Sequence, residues 1–296
     1  MEKAISSKQS ETGFDLSKYY LEHFEHIKKL HRLKAGNLNR VSGRSLAKRR
    51  SKVMDDLIIN YLSYGGFNNV KNVSVVALGG YGRNDLSPYS DIDILFLYDD
   101  IFIKAAKKLT QSLLYKLWDL KLDVGYATRT VDECVELSFD KDTTILTSML
   151  DSRLIYGDEP LFKSLNKKLF KEVLTKNSKF FIENKVNENQ ARIEKYGNSI
   201  YMLEPNVKES VGGLRDIHFA LWIAQAKFKV KSFKELLLKG IIFENELNTL
   251  NKNMDFLLSI RAELHYLAGK AEDRIRFEYG EDIAKYLGFK DSDLRA

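Results

Sequence analysis

The 296 residues carry 47 Lys/Arg against 41 Asp/Glu, a formal net charge of +6, with 44% hydrophobic and 30% charged content. That composition suits a folded protein with room for two compact units, and it leaves no apolar run near the roughly 18 residues of a membrane helix. Cys134 is the only cysteine, which excludes an intramolecular disulfide and a cysteine-based zinc site; with no apolar signal-peptide core after Met1-Glu2-Lys3, a cytoplasmic protein is expected.

Residues 1–14 are polar and read as disordered. Helices are expected over 15–35 and 43–64, the second with Leu46, Met54, Leu57, Ile58, Tyr61 and Leu62 on one face. Residues 1–60 hold 13 Lys/Arg against 7 Asp/Glu, so the excess charge sits there and the remainder is balanced. A basic segment is compatible with nucleic acid, but a solvated helix face explains it more simply. Neither nucleic acid nor membrane is expected as a partner.

Residues 73–98 organise the chain. Val73 to Leu78 and Asp91 to Tyr98 are short apolar runs rich in β-branched and aromatic residues, which predicts two buried strands around a glycine loop, Gly79 to Ser90. Asp91 and Asp93 stand two apart, so on a strand both carboxylates leave the same face. Two acids opening an apolar strand are costly without a cation between them, and a pair of divalent metals about 3.5–4 Å apart is the usual remedy. Gly79 and Gly80 let backbone N–H groups approach a phosphate. Asn84 tolerates the left-handed backbone such a loop needs.

A helix over 101–120 is expected next, with Leu109, Leu113, Leu114 and Leu117 inward. Lys121 to Arg129 predicts a third strand, in which Asp123 is an acid without a local reason; a strand-edge acid paired with lysine explains it equally well. Thr130 and Glu133 form a capping box that opens another helix. A helix over 141–150 and a short strand or turn at 154–156 follow, and from 159 the pattern is helical. It is interrupted at 204–216, Glu-Pro-Asn-Val-Lys-Glu-Ser-Val-Gly-Gly-Leu-Arg-Asp. There Lys208 and Arg215 could meet a triphosphate, aided by the following helix N-terminus, although a helix–helix connection is the plainer reading. Helices are expected at 243–268 and 282–287.

Gly79-Gly80 followed by Asp91-Ile92-Asp93 in strand–loop–strand order resembles the signature of polymerase-β-like nucleotidyltransferases. The ordered set Gly79-Gly-Tyr-Gly-Arg83, Lys121-Leu-Asp-Val-Gly125, Leu150 to Gly157, Glu204 to Glu209, Gly212 to Ile217 and Leu264 to Gly269 is more particular. It resembles the N-terminal half of the bifunctional uridylyltransferase/uridylyl-removing enzymes that modify the PII nitrogen-signalling protein. The implied fold is α+β, a small mixed sheet flanked by N-terminal helices (1–65) and a C-terminal helical domain (161–296), with the nucleotidyltransferase unit at 66–160. The implied activity is Mg²⁺- or Mn²⁺-dependent transfer of UMP from UTP to a tyrosine of PII. The resemblance raises Asp123 to a third metal-side carboxylate beside Asp91 and Asp93, and gives Gly79, Gly80, Arg83, Ser90, Lys208 and Arg215 to the nucleotide. Adenylyl transfer and a catalytically inactive nucleotide-binding module remain alternatives, and Tyr126, where relatives often carry His, has no assigned role. The chain contains no His-Asp dipeptide, and neither His218 nor His265 has an adjacent Asp. Either a truncated piece of a longer protein or a shortened relative, without uridylyl-removing activity or glutamine response, is therefore expected.

Overall fold

The computed structural model describes residues 15–32, 41–67, 71–139, 143–197 and 201–289. Two helices come first, α1 (Leu16–Arg32) and α2 (Gly43–Tyr64). Ser42 caps α2 by accepting from the Ser45 N–H at 3.2 Å, satisfying one of the first-turn donors. Of the face expected on α2, Leu46, Met54, Leu57, Ile58 and Leu62 are buried, and Tyr61 is partly so. Expected residues 1–14 and 33–35 lie outside the described residues.

The sheet is mixed and four-stranded: β1 (Val73–Ala77), β2 (Ile92–Tyr98), β3 (Val124–Thr130) and β4 (Arg153–Gly157), in the order β3-β2-β1-β4. β1 runs antiparallel to β2 and β4, whereas β2 and β3 are parallel. A parallel pair needs a crossover. It is supplied by a 3-10 turn (Asp100–Phe102) and α4 (Ile103–Asp119), whose four expected leucines are all buried. The stretch after β1 departs from a plain loop, because Gly79–Gly82 forms one helical turn, α3. Asn84 does adopt the left-handed backbone, at φ 64°.

Side chains alternate across the sheet with period two. Val75, Ala77, Ile94 and Phe96 face a core built with α1, α2 and α4. Val76, Leu95 and Leu97 face a second core completed by residues from beyond 161, including Leu165, Phe181 and Trp222. Asp91 and Asp93 fall on the parity of Leu95 and Leu97, so they face the later helices.

The remaining elements are α5 (Val131–Leu137), α6 (Thr144–Leu150), α7 (Glu159–Lys168), α8 (Ser178–Tyr196), α9 (Leu214–Phe228), α10 (Phe233–Leu238), α11 (Glu244–Ala268) and α12 (Phe277–Leu287). The Thr130–Glu133 capping box is present, with both reciprocal hydrogen bonds. Three expectations need correction. The helical run from 159 to 195 is not continuous; a π-helical stretch, Leu169–Thr175, breaks it and turns Leu169, Val173 and Leu174 into the core. α10 is a separate helix that the helical pattern expected after 216 does not distinguish; it is opened by Ser232, which caps the Glu235 N–H. The last helix begins five residues earlier than expected, at Phe277. Among the described residues no helix is long and apolar enough to cross a membrane.

Candidate active site

Because β2 and β3 pair in parallel register, Ile92 with Val124 and Asp93 with Gly125, the residues before each strand also lie side by side. Continuing the register one step back places Asp123 beside Asp91, and the Ile92 N–H donates to the Asp123 carbonyl at 2.9 Å. Asp123 is therefore at the mouth of β3 rather than within it, and it is exposed, as Asp91 is. Asp93 is partly buried one step further in. Burial, the Asp91 charge and, more weakly, the Asp123 charge push the Asp93 carboxyl up to about 6, against opposing pull from Lys208 and Arg83.

Two glycines make room for Asp93. A Cβ on Gly125 would stand 2.4 Å from Asp93 Oδ1, and one on Gly79, which has φ +52°, would stand 3.4 Å from Oδ2. Among the described residues no hydrogen bond or ion pair engages the side chains of Asp91, Asp93 or Asp123. Three acids facing each other without a cation leave electrostatic work undone.

The cleft over these acids is lined by Gly79, Gly80, Arg83, Ser90, Asp91, Asp93, Lys208 and Arg215, so eight of the nine residues expected from sequence share one wall. Asp123, the ninth, lines a neighbouring groove that shares Ser90 with the cleft. Arg83 is held in place: its guanidinium bonds Asp85 at 3.1 Å and also bonds Asp151. Arg215 pairs with Glu209 at 2.8 Å. Ser90 donates its hydroxyl to the Ser87 carbonyl at 2.9 Å. Burial, then the Arg261 charge, lowers the Lys208 ammonium below the usual lysine range, and its nearest carboxylate, Glu209 at 3.9 Å, is shared with Arg215.

Sequence reading missed several lining residues. Arg261 on α11 joins Lys208 and Arg215 in the cleft, anchored by Asp273 at 2.6 Å. Although burial opposes it, the His265 hydrogen bond and the Arg261 guanidinium hold Asp273 well below the usual carboxylate range. Asp85, Asp151 and Trp222 complete the wall. Gly125 and Asp151 lie within stretches already singled out, yet nothing in their spacing gave them a role. Arg261 carried no signal, being one arginine on a long helix. Neither His218 nor His265 has an Asp beside it in the sequence, but folding brings one to each. His218 Nε2 stands 3.6 Å from Asp85, and His265 Nε2 bonds Asp273 at 3.1 Å. Both histidines are buried, so these pairs support the wall rather than offer an open site for water.

A family model described as a nucleotidyltransferase domain matches residues 67–152, and the model of GlnD PII-uridylyltransferase matches residues 180–296. The bifunctional uridylyltransferase/uridylyl-removing enzyme of Ruegeria pomeroyi is 40% identical over 221 residues, 75% of this chain and 24% of that protein. Its counterpart in Stutzerimonas stutzeri is 38% identical over 252 residues, 85% of this chain and 28% of that protein. The chain matches nucleotidyltransferase and PII-uridylyltransferase domain models and aligns with the bifunctional uridylyltransferase/uridylyl-removing enzymes over most of its own length. It spans about a quarter of the length of these curated relatives. A nucleotidyltransferase domain implies a metal-dependent mechanism. Among the described residues no group of three or more His, Cys, Asp and Glu closes around a point as a ready-made metal cage. The residues nevertheless fit a hard divalent ion. The donors are all carboxylate oxygens, they lack protein partners, and burial and the neighbouring Asp91 charge make Asp93 hard to ionise. Magnesium sites of this kind commonly take one or two carboxylates from the protein and complete their coordination with water and substrate phosphates.

Proposed function

We propose that this chain transfers UMP from UTP to a tyrosine hydroxyl of PII and releases pyrophosphate. The observation that carries the reading is that the unpaired carboxylates Asp91 and Asp93, with Asp123 beside them, and the cations Lys208, Arg215 and Arg261 gather around one cleft. Acids and cations lining the same cleft suit a metal-bound triphosphate.

In this reading Asp91, Asp93 and Asp123 would hold Mg²⁺, or Mn²⁺ in its place, which would supply charge neutralisation at the triphosphate and acidification of the tyrosine hydroxyl. Gly79, Gly80 and Ser90 position the β- and γ-phosphates, Ser90 by releasing its bond to Ser87. Lys208 and Arg215 receive the leaving pyrophosphate. Arg83, fixed between Asp85 and Asp151, contributes positive charge to the wall without moving. The phenolic oxygen bonds to the α-phosphorus as the bond to the bridging oxygen of the β-phosphate breaks, and the phenolic proton passes to Asp123. The protein orients the reactants and neutralises charge, which in such transfers is most of the catalysis.

The test is incubation with Mg²⁺, PII and each labelled nucleoside triphosphate in turn. Label from UTP alone is expected. Label from ATP alone would make the chain an adenylyltransferase, and binding of nucleotide without labelling would make it an inactive regulatory module.

A further inference from the structure

A cavity of about 620 Å³ opens beside the carboxylate cleft, sharing Ser90 with it and ending on Asp123. The triphosphate cations Lys208, Arg215 and Arg261 all line the cleft and none lines this groove. The reaction proposed above brings two substrates to the same carboxylates, and the groove offers a second approach to them at Asp123, apart from those cations.

Its lining is aromatic along one wall and basic at its rim. Ring centroids of Tyr20 and Phe24 lie 5.8 Å apart, those of Phe24 and Tyr89 lie 5.6 Å apart, and Tyr89 stands edge-on to Tyr266 at 6.4 Å. Leu21 and Tyr89 expose 59% and 42% of their surface here, far more than a finished core would leave. In the floor, Arg50 is only 5% exposed, bonds Tyr266 Oη at 2.9 Å, and has a buried Nε with no hydrogen-bond partner. Lys121 and Lys270 stand exposed at the mouth, with Glu25 and Asp123 the only acids in the lining. Tyr89 and Lys121 both hold left-handed backbone, at φ 56° and 58°, a conformation non-glycine residues keep only where surroundings impose it.

We propose that this groove docks an extended, acidic segment of the acceptor protein that carries the tyrosine to be modified. The tyrosine ring packs along Phe24 and Tyr89 with its hydroxyl directed at Asp123. A neighbouring acidic side chain meets Arg50 and Lys270. Aromatic packing supplies affinity and the basic floor and rim supply selectivity. The inference rests on the transferase reading, and it assigns α1 and the Lys121 turn to acceptor choice.

The test uses the whole chain with the surface substitutions Leu21→Ser, Lys121→Glu and Lys270→Glu. Binding of labelled PII is titrated in the presence of Mg²⁺ and α,β-methylene-UTP, and affinity for that nucleotide is measured alone. The expected result is a loss of acceptor affinity of tenfold or more in the charge reversals, with nucleotide affinity moved less than twofold. Loss of nucleotide affinity would assign the groove to the nucleoside and overturn the proposal. Unchanged acceptor affinity, or a wild-type chain that binds no acceptor, would overturn it as well. A chain that binds PII through these residues yet transfers nothing keeps the docking site and removes the transferase reading.

Discussion

Asp93 is the residue on which the candidate site turns, and Gly125 is what lets it be there. A methyl group on Gly125 would sit 2.4 Å from a carboxylate oxygen, and the flexible carboxylate end, rather than the backbone, would give way. Gly125→Ala should therefore cut transfer at least tenfold, about 1.4 kcal/mol of barrier, while the thermal midpoint stays within a few degrees. A preserved rate would mean that Asp93 need not hold its observed position. The charge on Asp93 leads to a second expectation. Each of Asp91→Asn, Asp93→Asn and Asp123→Asn should lower transfer by several orders of magnitude, and about 10³-fold is about 4 kcal/mol. In metal-free protein at pH 7, however, Asp93→Asn should melt at a higher temperature than wild type, because the native carboxyl, pushed up to about 6, resists ionising among its neighbours. A raised carboxyl costs stability as pH climbs from the ordinary carboxylate value through about 6, and the amide escapes that cost. Melting in chelator at pH 5 and pH 7 reads it directly: the gap between variant and wild type should widen at the higher pH.

At the scale of elements, α3 depends on close approach rather than on helix propensity. A Cβ on Gly82 would meet the Asp151 carbonyl oxygen at 2.1 Å and the Ala77 carbonyl at 2.9 Å, both backbone atoms that cannot step aside. Gly82→Ala should cost about 1–3 kcal/mol by overpacking, read as a lower urea midpoint. An unmoved midpoint would show the turn to be looser than its contacts imply. α9 brings His218 against Arg83 and Asp85, and burial, then the Arg83 charge, lowers its imidazole to about 3. A depressed histidine contributes stability above its unfolded value near 6.5 and loses it as pH falls toward 3. His31, also lowered by burial, acts in the same sense. Urea stability should fall from pH 6.5 to pH 5, each such group adding at most about 1.4 kcal/mol per pH unit, and His218→Gln should flatten the slope. An equal slope in the variant would show that His218 is already protonated in the native state. Most of these elements were legible because their signals are local. The short β-branched and aromatic runs of β1 and β2, the leucine face of α4 and the Thr130 capping box are each signals contained within a few residues or turns. α10 was not legible, since six residues between Ser232 and Lys239 give too little periodicity, and the π-helical break is imposed by packing against the sheet.

Across the whole molecule, the sheet is held between two cores, and the cleft lies where the second of them stops. Asp91 and Asp93 were readable from their spacing on one strand and Asp123 only through the family resemblance, whereas the cationic wall was half readable. Lys208 and Arg215 stand in a loop with unusual composition, but Arg261 arrives from α11 by tertiary folding alone. The same limit hid Arg83 with Asp151, Arg153 with Asp55 at 2.7 Å, and His265 with Asp273, because pairing over such separations leaves no trace in local pattern. A prediction belongs to this scale: Lys208→Met should weaken UTP binding about tenfold, about 1.4 kcal/mol, in isothermal titration, and should shrink the rise in melting temperature that saturating UTP gives wild type. Equal affinity in the variant would remove Lys208 from the nucleotide.

The parallel join between β2 and β3 carries a consequence for how far this chain can drift in sequence. Spacing between the carboxylates is set by ladder hydrogen bonds from Ile92 to Tyr98 against Val124 to Thr130, not by the twenty-five residues that travel between the strands. Length added at Asp99 to Phe102 is taken up as slack on the sheet's far rim, while a single-residue slip in the ladder would throw every side chain of β3 to the other face. Insertions are therefore expected to be tolerated at that rim and purged within the ladder. A library of short insertions from 99 to 130, sorted for UMP transfer, should return survivors clustered at 99–102.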